Sequence, residues 1–203
     1  MGKGRLEAFS DGVFAIIITI MVLELKVPHG NNLYALQPLI PVFISYILSF
    51  VIVGIYWNNH HHMMQIVHKI NGSVLWANMH LLFWLSLFPF ATAWMGENHF
   101  TTIPVVLYGI ILFMAGVAYY FLTHCLMALH GRDSVISTAI GKDRKGIISV
   151  AIYLAGIVLA FVNGYISLFL YASVAAMWFI PDKRIEKKTS MAELHAEDHK
   201  LQR

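Results

Sequence analysis

Asp11 is a carboxylate at the head of a long apolar run, Arg5-Leu6-Glu7-Ala8-Phe9-Ser10-Asp11-Gly12-Val13-Phe14-Ala15 continuing through Ile16 to Leu23. An ionisable residue at membrane depth is costly, so it faces a protein interior or a water-filled path and marks a candidate functional site. Partners for it occur in Trp76-Ala77-Asn78-Met79-His80-Leu81-Leu82-Phe83-Trp84. Asn78 and His80 lie about 200° apart on an ideal helix, so both cannot face one neighbour. His80 is the expected partner of Asp11, with Ser10 in support, because pairing relieves the burial cost of polar groups in an apolar medium. Such a pair has two chemical uses. It could be a static latch between helices, or a proton-coupling pair in a secondary ion transporter. No paired carboxylates, metal motif or activated nucleophile accompany Asp11, which argues against an enzyme.

A second pattern shares this helix. Phe9, Gly12, Ile16, Ile20, Leu23 and Val27 fall on one stripe at 100° per residue, with Thr19 at its edge and Ser10 and Asp11 pointing away. The stripe either packs on another helix or, if several copies of the helix surround an axis, sets branched apolar side chains as successive constrictions. The histidine run Asn58-Asn59-His60-His61-His62-Met63-Met64, with His68, holds no i+3 or i+4 pair among its four histidines and makes a poor metal site. It reads as an interfacial cluster. His195 and His199 do have i+4 spacing, on a short polar segment. A lone Cys125 excludes an internal disulfide framework. No metal or resident cofactor is expected.

The elements that carry these residues must cross a bilayer. The 203 residues are 58% hydrophobic and 12% charged, with a mean hydropathy of +0.66, outside the range of soluble domains. Apolar stretches near 5–27, 36–58, 73–95, 102–128, 146–162 and 165–180 suit spanning helices, and the fold class is an all-α integral membrane protein with six spans. The N-terminal stretch is too long for a cleaved signal peptide and lacks a small-residue cleavage site, so it is read as a retained first helix.

Six spans put both termini on one side with Lys3, Arg5, Lys69, Arg132, Lys142, Arg144, Lys145 and the basic residues of the 182–203 tail, leaving only Lys26 on the other. Positive charge in short loops marks the cytoplasmic side, so both termini are expected in the cytoplasm of a multi-pass cell-membrane protein. The net charge of +3 reflects that orientation and not nucleic-acid binding; the basic tail suits anionic lipid headgroups. Pro38 and Pro41 open the second span and Pro104 the fourth, whereas Pro89 lies inside the third and predicts a kink. Trp57 is expected in an interfacial aromatic belt, and Trp76 and Trp84 in packing. No internal duplication divides the six spans, which weighs against a transporter of inverted repeats.

Taken together, Arg5-x-x-x-Phe9-Ser10-Asp11 running into an Ile- and Leu-rich helix that ends Leu25-Lys26-Val27-Pro28, Asn78-x-His80-Leu81-Leu82-Phe83-Trp84, and Leu87-Phe88-Pro89-Phe90 resemble the transmembrane protein 175 family of potassium channels, in its bacterial single-repeat form. The likeness extends over all six spans. It implies a homotetramer whose first helices line a central pore for K+, with no loop filter; the chain contains no Thr-Val-Gly-Tyr-Gly string. By the same resemblance the narrowest ring falls on Ile16, the next layers on Ile20 and Leu23, and a threonine layer on Thr19. Relatives commonly carry leucine where Ile20 stands. Arg5, Phe9, Ser10 and Asp11, with Asn78 and His80, are implied to form a structural network near the cytoplasmic end.

Overall fold

Runs of apolar residues with few breakers fold as helices joined by short turns. The computed structural model describes residues 2–131, 134, 136, 137 and 144–179; the expected tail, 182–203, lies outside them. In chain order the helices are α1 (Lys3–Leu23), a 3-10 segment (Leu33–Leu39), α2 (Ile40–Gln65), α3 (Gly72–Ser86), α4 (Phe88–Glu97), α5 (Thr102–His130), α6 (Arg144–Leu159) and α7 (Gly164–Phe179). The described residues form helices joined by turns and irregular stretches, with no strand among them. Caps explain several starts. The Asn71 side chain accepts from the Val74 amide at 3.0 Å at the head of α3, and Pro41 sits in the first turn of α2, where its missing N–H costs nothing.

Pro89 divides the third apolar stretch into α3 and α4, as its position predicts. Leu87 keeps helical angles (φ −83°, ψ −10°), so the break is slight, and its amide reaches the Trp84 carbonyl at 3.3 Å. α2 differs from expectation in extent. Hydropathy ends the second stretch at 58, but the helix runs on to Gln65 and carries the histidine run inside it. Hydropathy reports bilayer depth, whereas backbone hydrogen bonding continues past it. Trp76 also departs from expectation. It is exposed on the bundle surface, not packed within.

Side-chain contacts at the helix ends give the threading. Lys3 Nζ donates to the Gln65 carbonyl, and His130 Nε2 accepts from the amides of His68 and Lys69 at 3.2 and 3.3 Å, so the start of α1 and the ends of α2 and α5 share one end. Trp178 Nε1 donates to Ser149 Oγ at 2.8 Å and ties the end of α7 to the start of α6. At the opposite end Lys26 and Glu97 form an exposed ion pair. There the α4–α5 turn holds His99 and Phe100 at positive φ, 50° and 61°. A Cβ at Gly164 would stand 2.2 Å from the Phe100 carbonyl oxygen, so only glycine lets the α6–α7 turn cross beneath it.

α5 packs on α3, α4, α6 and α7, and supplies buried Tyr108, Leu112, Ala115 and Leu122 to the core. α1 lies at the margin, against α2, α3 and α4. Among the described residues, four helical segments, Lys3–Leu23, Leu33–Gln65, Gly72–Glu97 and Thr102–His130, are long and apolar enough to cross a membrane, and Lys145–Leu159 and Gly164–Phe179 are apolar but shorter. At ~1.5 Å per residue the last two span roughly 24 Å against a hydrocarbon core of about 30 Å.

Candidate functional site on the first helix

The marginal position of α1 gives it two unlike faces. Leu6, Ser10, Phe14, Ile17 and Met21 recur at helical spacing and are all buried against the neighbouring helices. In the middle of them runs a chain of polar groups. Ser10 Oγ donates to the Leu6 carbonyl at 2.9 Å, Asn78 Nδ2 donates to Ser10 Oγ at 3.0 Å, and Asn78 Oδ1 lies 2.8 Å from His60 Nε2. With the amide oxygen turned to the ring, the His60 proton belongs on Nε2. Ser10, His60 and Asn78 are wholly buried, so these bonds satisfy groups that no solvent reaches. Among the described residues, His60 Nδ1 has no partner. The His60 ring rests against Phe14 with centroids 5.7 Å apart.

Asp11 does not pair with His80. Its Oδ1 accepts from Trp57 Nε1 at 3.1 Å, and Trp57 is itself stacked by His61 at 5.8 Å. His80 instead accepts from Trp84 Nε1 at 2.9 Å and lies against Phe121 of α5. Helix geometry explains the correction. Asn78 and His80 sit on opposite sides of α3, and with Asn78 turned toward Ser10, His80 must turn toward α5. The structure thus brings Ser10 and Asn78 together and sets Asp11 beside them through a different partner. Arg5 and Phe9 are exposed, outside this cluster.

Two residues of the cluster, Trp57 and His60, were expected in an aromatic belt and an interfacial group. Their signal is the i, i+3 spacing, which puts both on one side of α2 and lets that side fasten α1 at two points.

The opposite face of α1 is bare. Phe9, Gly12, Ile16, Thr19, Ile20 and Leu23 are exposed, Ile16 at 57% and Leu23 at 80%, and they follow the stripe read from the sequence. Thr19 Oγ1 donates to the Ile16 carbonyl at 2.9 Å. That bond uses the hydroxyl proton and leaves oxygen lone pairs on the open side. The face therefore sets one oxygen acceptor, Thr19, among branched apolar side chains. Lone pairs of this kind suit a cation better than an anion.

The family described as endosomal/lysosomal potassium channel TMEM175 matches residues 5–89, which hold both faces of α1 and their partners on α2 and α3. A protein of Chryseobacterium sp. named as a potassium channel is 57% identical over 187 residues, covering 92% of this chain and 97% of its own. Another named so, from Streptomyces collinus, is 32% identical over 125 residues, covering 58% of this chain and 61% of that one. The crystal structure of a lysosomal potassium-selective channel TMEM175 homolog from Chamaesiphon minutus superposes with a TM-score of 0.76 at 28% identity, covering 88% of this chain and 96% of that one. With its apolar helices and these relatives, the protein is a membrane protein and the chain belongs to the TMEM175 family.

Proposed function

We propose that this chain is a K+-permeable cation channel of the cell membrane, built as a homotetramer in which the bare faces of four α1 helices surround the pore. The observation that carries the reading is that face. An apolar stripe with a threonine layer stands uncovered on a helix whose other side is fastened by buried hydrogen bonds. Rings of Ile16, Ile20 and Leu23 would then form the constriction and Thr19 an oxygen layer between them. Apolar rings replace none of an ion's hydration and can gate by dewetting. K+ gives up its water more readily than Na+, so a narrow apolar passage favours K+ modestly, and Thr19 oxygens add weak coordination. Six crossings would put both termini on one side, and the basic residues Lys3, Arg5, Lys69 and Lys145 at that end support reading it as cytoplasmic. No resident cofactor is assigned, and passage is downhill, not enzymatic. The transporter alternative loses its motive, since Asp11 and His80 turn to separate tryptophans.

Planar bilayers under opposed K+ and Na+ gradients test the reading, with Ile16→Asn beside wild type. Wild-type protein should give unitary currents whose reversal potential is displaced toward the K+ equilibrium potential. Ile16→Asn should raise conductance and lower selectivity. Folded protein without cation current would overturn the channel, and an unchanged Ile16→Asn would remove Ile16 from the constriction.

A further inference from the structure

On the far side of α2 from α1, a cavity of about 440 Å³ opens between α2, α5, α6 and α7. Its walls are Ile52, Val117, Val150 and Val174, and it runs from mid-bundle toward the end that holds the start of α6 and the end of α7. From Ile52 to Asn59 it follows α2 for about 10 Å at ~1.5 Å per residue. Its lining is mostly aliphatic and aromatic carbon, and the polar groups of Trp178 and Ser149 are bonded to protein. Trp178 Nε1 donates to Ser149 Oγ, which donates in turn to the Lys145 carbonyl at 2.7 Å. A water in such a place needs two or more polar partners, so these walls suit hydrocarbon better. Phe121 and Ile147 line the cavity and are at least half exposed, so it opens laterally on the bundle surface.

A lysine stands at the mouth. Lys145 Nζ sits 5.8 Å from the centroid of the Trp178 ring, which lines the cavity, and the described lining contains no carboxylate. A tryptophan and a lysine at the rim of an apolar slot match the level where acyl chain meets headgroup. We propose that this cavity binds one acyl chain of an anionic phospholipid, with the lipid phosphate beside Lys145. The bound lipid would wedge α6 against α2 and α5, and so couple the bundle to leaflet composition.

Gly116 provides the test. A Cβ there meets nothing closer than Val150 Cγ2 at 3.7 Å, and Gly116 lines the cavity, so Gly116→Leu fills it without displacing backbone. Full-length protein is equilibrated with phosphatidylglycerol or phosphatidylcholine in mild detergent, and retained lipid is counted by native mass spectrometry. Wild type should retain phosphatidylglycerol in preference. Gly116→Leu should lose several-fold of both lipids, whereas Lys145→Gln should keep occupancy and lose about fivefold in preference, the worth of one lysine at an anionic surface. Should Gly116→Leu fail to fold, quenching by brominated-acyl phosphatidylglycerol gives the answer on the native sequence, because Trp178→Phe should remove a quenched component. Equal retention by wild type and Gly116→Leu, or quenching unaffected by Trp178→Phe, would overturn the proposal. So would wild type without retained lipid whose subunit association changes in Gly116→Leu, which assigns the cavity to a second copy.

Discussion

The two faces of α1 have the same backbone and opposite chemistry. The inner one buries Ser10 among apolar side chains and bonds it to Asn78 on another helix, while among the described residues the buried His60 Nδ1 and His61 Nδ1 have no partner. The outer one leaves Ile16, Thr19, Ile20 and Leu23 uncovered and bonds Thr19 only to its own helix. The difference teaches that specificity of position comes from the inner face. Interhelical bonds at Ser10 and Asp11 hold the azimuth of α1, and a rotation of even one residue, about 100°, would replace the apolar stripe by other side chains. Substitutions on the inner face should therefore cost stability first, and those on the outer face should change permeation with stability intact.

Asn78→Leu should break the comparison hardest. It removes the centre of the polar chain, stranding the His60 Nε2 proton and one acceptor site of Ser10 in the core. A buried group left without its partner costs about 1–3 kcal/mol, so a total near ~3 kcal/mol is expected. Thermal unfolding followed by size-exclusion chromatography should show a large loss of monodisperse protein. An unchanged melt would mean that the chain from Ser10 to His60 does not hold α1.

Ser10→Ala should cost less, about 1–2 kcal/mol, because it strands one Asn78 donor and leaves the Asn78–His60 bond in place. A melt lowered as far as that of Asn78→Leu would show that the bond to α1 carries the whole effect.

Asp11 comes next. A double-mutant cycle of Asp11→Ala with Trp57→Phe should give a coupling of about 0.6 kcal/mol and at most about 1.7 kcal/mol, the mean and the maximum for interhelical hydrogen bonds in a membrane protein. The same cycle with His80→Ala should give none. Coupling to His80 and not to Trp57 would restore the pair expected from residue chemistry.

That pair shows where the sequence is legible and where it is not. Periodicity separates the stripe of Ile16, Ile20 and Leu23 from Ser10 and Asp11, because 100° per residue is a property of the helix itself. Pro89 announces its break for the same local reason, a missing N–H. The choice between Asn78 and His80 is not local. Both suit a carboxylate, and the deciding quantity is the azimuth of α3 about its axis, set by packing of Leu81 and Leu85, which are wholly buried. Trp57 was hidden more deeply, since a tryptophan near the end of an apolar stretch suits an interface as well as a hydrogen bond. Its contact with Asp11 joins residues 46 apart in sequence. Only the shared side of Trp57 and His60 on α2 hinted at it.

Thr19→Val is the smallest expected effect and separates the faces most cleanly. Valine keeps the branched shape and removes the oxygen, and Thr19 is exposed with its hydroxyl bonded only to its own turn, so folding stability should not move measurably. In the proposed channel the loss is one ring of weak acceptors. The apolar rings at Ile16 and Ile20 would still disfavour Na+ through its hydration. Bi-ionic reversal potentials should then shift by at most a few-fold in the K+/Na+ permeability ratio, with unitary conductance little changed. A collapse of selectivity would make oxygen coordination at Thr19, and not the apolar constriction, the main source of discrimination. A fall in thermal stability would place Thr19 in a contact between subunits, and the outer face of α1 would then be a packing surface as much as a pore wall.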